Sequence, residues 1–234
     1  MTHPAPPDRD ALLHLFDGLR VADVRDAMDA LGYPGVGSVS PQIRPLWRTR
    51  IVGIARTARY LPYRGRTPTQ LSPAEYARWS GEYYGKVCTY PWVEAIEPGD
   101  VMVIDQSGVD AGLIGSENSL ACLRRGLRGF VTNSSFRDTD EMILQKVPAW
   151  LAFTSQKMVQ GRIQFDATQV PVAVGGVTVV PGDVLVADGD GVIVVPREIA
   201  PEVAVLAREE NQRDRQARKR HYDALGLPPD DTVG

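Results

Sequence analysis

Apolar residues recur at helical spacing near the start of the chain. Leu12, Leu15, Phe16 and Leu19 fall on one face, and Val21, Val24, Ala27, Met28 and Leu31 on another, with Gly32 as the stop signal. The first nine residues, Pro-rich and polar, read as a loose arm, and residues 50–60 as a strand. Ser72-Pro73-Ala74-Glu75 combines an N-cap Ser, Pro at the first helical position and Glu at the third, which predicts a helix to about residue 85. Glu97-Pro98-Gly99-Asp100 and Pro181-Gly182-Asp183 are turns of one kind, each feeding an apolar strand, at 101–105 and 184–188. Between them the pattern predicts a helix at 116–125, a buried strand at 129–132 and a helix at 138–144. Gly175-Gly176 between alternating valines marks a hairpin. Asp188-Gly189-Asp190-Gly191 reads as a tight turn, because its Gly comes too early for a calcium loop. A closing helix from about residue 198 is acidic at its start and basic at 213–220, a polarity that suits the helix dipole. Strands alternating with helices predict an α/β fold.

With 43% hydrophobic and 24% charged residues, the 234-residue chain can build a core, which excludes disorder and coiled coil. One domain over residues 1–234 is expected. It carries an aromatic-rich insertion at about 60–92, where Tyr60, Tyr63, Tyr76, Trp79, Tyr83, Tyr84, Tyr90 and Trp92 gather. These aromatics would pack the inserted helix, meet another subunit or form a substrate lid. The net charge of -3 and the lack of a basic stripe outside 213–220 argue against nucleic acid. No apolar run approaches the ~18 residues of a membrane span, and the first residues lack the pattern of a secretory leader, so a cytoplasmic protein is expected.

Candidate chemistry narrows by elimination. A Ser-His or Cys-His hydrolase needs a positioned imidazole, yet the histidines are His3, His14 and His221, near the termini. Two cysteines, Cys88 and Cys122, make neither a disulfide framework nor a CxxC site and read as buried thiols. Lys86 or Lys146 could form a Schiff base, but nothing beside either signals a depressed pKa. What is left is an oxygen-ligand site within residues 110–140. Gly112 and Gly115 allow close turns, and Ser116 is a suitable cap for a helix whose free N–H groups could hold a carboxylate or phosphate. Arg137-Asp138 then sets a cation beside an anion at a strand exit, where α/β proteins bind ligands.

The chain resembles the RraA-like family, which includes 4-hydroxy-4-methyl-2-oxoglutarate aldolases and the misnamed demethylmenaquinone methyltransferases. The resemblance rests on Val21-Ala-Asp-Val-Arg-Asp-Ala27, Pro98-Gly-Asp-Val101, the helix after Gly115, Arg125-Gly126, Gly129, Arg137-Asp138 and the closing Pro181-Gly-Asp to Val195-Pro-Arg197. It implies a swivelling β/β/α domain assembled as a homotrimer or homohexamer, with sites near subunit boundaries. It also implies that Asp138 holds a divalent cation, Mg²⁺ or Mn²⁺, and that Arg137 contacts the C2 oxygen of a small 2-oxo acid. Gly115, Ser116, Glu117 and Asn118 would then receive the substrate carboxylate. The reaction so implied is metal-dependent carbon-carbon lysis, by retro-aldol cleavage of a 4-hydroxy-2-oxo acid, by oxaloacetate-type decarboxylation, or by both. Mg²⁺ often takes only one or two protein carboxylates, and a metal plus a guanidinium can stabilise an enolate by several kcal/mol.

The departures from the family pattern fall in the site. Ser116 stands where family aldolases have an acid, and Asn133-Ser134 where they have Asp-Gly. Glu117 is one residue along, about 100° around a helix. Loss of the base would spare decarboxylation relative to aldol cleavage, because only the latter removes a hydroxyl proton. The competing expectation is a non-catalytic regulator that binds a ribonuclease. Methyltransfer is disfavoured by the lack of a Gly-rich nucleotide loop.

Overall fold

The computed structural model describes residues 8–233. His3 and most of the expected arm lie outside them. Asp8 and Arg9 do not belong to an arm: Asp8 caps the first helix by accepting from the Ala11 N–H at 2.8 Å, and Arg9 is that helix's first residue.

In chain order the elements are α1 (Arg9–Leu15), α2 (Val21–Ala30), β1 (Arg44–Pro45), β2 (Ile51–Pro62), α3 (Pro73–Lys86), β3 (Asp100–Asp105), α4 (Ser116–Arg124), β4 (Gly129–Thr132) and β5 (Ser135–Phe136). There follow α5 (Thr139–Leu144), β6 (Ala149–Leu151), β7 (Phe153–Thr154), β8 (Ile163–Thr168), β9 (Val172–Val174), β10 (Val177–Val179), β11 (Val184–Asp188), β12 (Gly191–Val195) and α6 (Ala200–Leu225). The main sheet is mixed and runs β1-β6-β4-β3-β2-β11-β12, with β8 also on β2. β2 organises it: β3 pairs along Ile54–Arg59 in parallel, while β11 and β8 pair antiparallel along its first and last thirds.

Side-chain alternation explains why these strands are buried on both faces. On β11 and β12, Val184, Val186, Ile193 and Val195 face α1, α2 and α6, whereas Leu185, Ala187, Val192 and Val194 enter a separate interior with Val101, Val103, Val131 and Trp150. Met102, Ile104 and Phe130 point the other way, into a third cluster with Tyr83, Trp92, Cys122 and Met142. That third cluster is the floor of the candidate site.

The two Pro-Gly-Asp turns are the same device. Gly99 and Gly182 take φ of 90° and 98°, as a type II turn requires of the residue after its Pro. Oδ2 of Asp100 and of Asp183 accepts the N–H three residues back, from Glu97 and Val180, each at 2.8 Å. They launch β3 and β11, which both flank β2. Asp100 is buried and also accepts from Arg9 Nη2 at 2.5 Å and from Arg56 Nε, tying α1 to the sheet.

The basic run on α6 lies too far from the end of the helix to answer its dipole. The last turn holds no basic residue. Within the run Arg218 donates to Asp214 at 3.1 Å, and it is this acid, accepting from Arg20 at 2.7 Å, that ties α6 to the entry of α2. No helix among the described residues is long and apolar enough to cross a membrane.

Candidate active site

Arg137 and Asp138 follow β5 and meet the loop that enters α4. The Arg137 N–H donates to the Ile114 carbonyl at 2.9 Å, which fixes the two segments side by side. They fit only because two positions lack a side chain: a Cβ on Gly112 would sit 2.7 Å from Arg137 Cβ, and one on Gly115 would overlap Asp138 Oδ2. Asp138 occupies the left-handed region, φ 55° and ψ 38°, as the cap of α5. Non-glycine residues rarely adopt that conformation, and it turns this carboxylate back towards α4.

The carboxylate is only lightly engaged. Oδ2 accepts from the Ser116 N–H at 3.3 Å, and Oδ1 lies 3.7 Å from Arg137 Nε. Arg137 and Asp138 keep side-chain exposures of 34% and 38%, so neither is consumed by the pair. Both line a cavity of about 460 Å³ together with Gly115, Glu117 and Asn118.

The helix start differs in detail from the expectation. The N-cap is Gly115, and Ser116 is the first helical residue. Asn118 Oδ1 accepts from Gly115 N at 2.7 Å and Asp138 from Ser116 N, so side chains from elsewhere do the capping expected of Ser116. The N–H groups of Glu117 and Asn118 are then those left for a ligand. Glu117 lines the cavity and Ser116 is not among its lining residues, so the acid one position along faces the site. Asn133 and Ser134 serve the scaffold: Asn133 accepts from Gln106 N at 2.9 Å and donates to Asp105 at 2.7 Å, and Ser134 donates to the Val109 carbonyl.

Three aromatic residues complete the wall, Tyr84 from α3 and Tyr90 and Trp92 from the segment after it. Their sequence signal was the excess of aromatics, but only helix phase separates Tyr84 from buried Tyr83, which donates to the Ile163 carbonyl at 2.9 Å. Cys122 also lines the cavity, and burial pushes its thiol up to about 12, as it does that of Cys88. Among the described residues no histidine lines the cavity, and His14 pairs with Asp17 at the surface. Lys86, paired with Glu82, and Lys146 lie away from it.

Among the described residues no group of three or more His, Cys, Asp or Glu gathers around a point. The Asp138 carboxylate, lightly held and lining the cavity, has the chemistry of a single protein ligand to a hydrated hard cation.

A family model described as Aldolase/RraA matches residues 21–194. The chain belongs to the RraA-like family. Among solved structures, a Streptomyces coelicolor protein described as an unusual member of the RNase ES inhibitor RraA protein family superposes with a TM-score of 0.72 at 27% identity, over 92% of this chain and 99% of that one. This RraA-like chain is 34% identical over 128 residues to a Halalkalibacterium halodurans protein named "Putative 4-hydroxy-4-methyl-2-oxoglutarate aldolase", matching 53% of this chain and 58% of that protein. Protein DlpA of Legionella pneumophila is 28% identical over 194 residues, which are 82% of this chain and 28% of DlpA. The chain thus spans less than two thirds of these two relatives' lengths.

Proposed function

We propose that the protein is a divalent-metal-dependent carbon-carbon lyase acting on a small 2-oxo acid. The observation that carries this reading is the convergence of Arg137, Asp138 and the start of α4 on one cavity, at a distance only glycine at 112 and 115 permits. Asp138 is assigned as the protein ligand of Mg²⁺ or Mn²⁺, whose charge, when bound, helps to carry the electron pair that bond cleavage leaves on the substrate. Arg137 directs its guanidinium to the C2 oxygen, where that charge collects. The N–H groups of Glu117 and Asn118 receive the C1 carboxylate at the positive end of the helix. In retro-aldol cleavage the C3–C4 bond breaks, its electrons stay on C3, and the Glu117 carboxylate takes the C4 hydroxyl proton as C4 becomes a carbonyl. Oxaloacetate decarboxylation yields the same enolate by loss of CO₂ and needs no base at that step. The same reading has the protein working as a homotrimer or homohexamer with the cavity near a subunit boundary.

The test is pyruvate release from oxaloacetate and from 4-hydroxy-2-oxo acids, with Mg²⁺, with Mn²⁺ and after chelation. Metal-stimulated turnover of one such acid supports the reading, and its absence with all of them contradicts it. The Streptomyces relative's description carries a second reading, a ribonuclease-binding regulator. Capture of a ribonuclease by wild type and Asp138→Ala alike, without turnover of any 2-oxo acid, would favour it.

A further inference from the structure

The basic run at 213–220 is divided by the fold. Arg213, Lys219 and Arg220 are exposed, whereas Arg215 and Arg218 are half-buried. The inward stripe of α6 passes from Val203, Ala204 and Ala207 in the core to buried Asn211, and helical spacing continues that face into Arg215 and Arg218. There the two arginines line a cavity of about 400 Å³ with Arg20, which precedes α2, and Arg50, which precedes β2. Arg50 sits at the edge of the sheet where β2 begins, opposite to the edge from which the parallel strands β3 and β4 lead into the candidate active site. The two cavities share no lining residue.

Charge in this second cavity does not balance. Four guanidinium groups line it against one carboxylate, that of exposed Asp231. Two of the four are held in place: buried Asp23 accepts from Arg20 Nε at 3.0 Å and from Asn211 Nδ2 at 2.8 Å, and Arg218 donates to Asp214 and, at 3.2 Å, to the Thr232 carbonyl. The other two, Arg50 and Arg215, form no ion pair among the described residues. Bringing like charges together costs Coulomb energy that nothing in the wall offsets for these two.

We infer that this cavity binds a small phosphate-bearing anion. The guanidinium groups come from three separate segments, the turn before α2, the entry of β2 and the inward face of α6. Convergence from several directions suits the tetrahedral oxygens of a phosphate, each able to accept from a planar fork of N–H donors, better than one flat carboxylate. The cavity falls within the roughly 300–1,000 Å³ of small-molecule sites. This site stands apart from the 2-oxo acid reading and holds whether or not that reading does.

The full-length protein in metal-free buffer is titrated calorimetrically with pyrophosphate and with inorganic phosphate. One equivalent per chain is expected, with pyrophosphate the tighter and both weakened by added salt. Arg50→Gln and Arg215→Gln should each weaken pyrophosphate binding by about ten- to a hundredfold, the worth of one charge-assisted hydrogen bond. Neither arginine has an ion pair to lose, so both variants are expected to fold with a Tm close to wild type. Arg137→Gln, in the other cavity, and the double variant Arg213→Gln/Arg220→Gln, on the exposed face of α6, should bind as wild type does. Absence of saturable binding overturns the inference, as does wild-type affinity in both Arg50→Gln and Arg215→Gln. Loss of binding in Arg137→Gln would place the anion in the candidate active site, and loss in the Arg213/Arg220 variant would mark an outer surface for a polyanion; either result also overturns it.

Discussion

Gly115 and Asp138 are packed so closely that a methyl group at position 115 would occupy the place of a carboxylate oxygen. The first atom such a methyl group meets is the far end of a side chain, not backbone, so the cheapest response is rotation of the carboxylate out of the cavity. Gly115→Ala is therefore expected to fold with a Tm close to wild type while losing metal-dependent activity by tenfold or more. Gly112→Ala instead presses on Arg137 Cβ, close to the main chain, and should cost about 1–3 kcal/mol of stability as an overpacked site does. Thermal unfolding and turnover measured on both variants check the contrast. Equal stability loss in the two would contradict it.

Glu117 lines the cavity from the first turn of α4, and as the proposed base it would separate aldol cleavage from decarboxylation. Glu117→Gln should lower retro-aldol cleavage by about 10²- to 10⁴-fold, the usual worth of a general base, and lower decarboxylation far less. If Glu117→Gln spares aldol cleavage and Ser116→Asp raises it, the base belongs at position 116.

Burial raises the pKa of Tyr60, Tyr83, Tyr84 and Tyr90, that of Tyr83 to about 12. Their phenols therefore stay protonated in the folded protein at a pH where the unfolded chain releases those protons. Because the folded state then binds more protons, stability should fall as pH rises from 10 towards 12, with no contribution from these groups below 10. Urea unfolding across that interval, with phenolate absorbance as the second readout, tests this. A flat stability profile would show that these residues titrate normally.

Cys88 and Cys122 are buried and unpaired, and thiolate is the reactive form. With both thiols pushed up to about 12, the native protein should react negligibly with a disulfide reagent at pH 8 over minutes. Two equivalents should react after unfolding. Rapid modification of Cys122 in the native state would mean that the cavity lining opens.

Local signals were legible because local physics sets them. The Ser72 cap, the Pro-Gly-Asp turns and the Gly175-Gly176 hairpin each place a residue type where one backbone geometry demands it. The partners of β2 were not legible, since β3, β8 and β11 reach it across long stretches of chain. Nor was the capping of α4, because the acceptor for Ser116 N lies 22 residues on, in a left-handed Asp138 that no local pattern announces. The tie between α6 and α2 through Asp214 likewise depended on where Arg20 lies.

Asp138 is proposed to hold the cation on which carbon-carbon cleavage depends. The most direct measurement of this is the rate of pyruvate formation against Mg²⁺ concentration for wild type and Asp138→Asn, with oxaloacetate and a 4-hydroxy-2-oxo acid as substrates. Wild type should show a saturable metal response and a folded Asp138→Asn protein its loss or a shift to at least tenfold higher Mg²⁺. An unshifted metal response in Asp138→Asn would contradict the proposal.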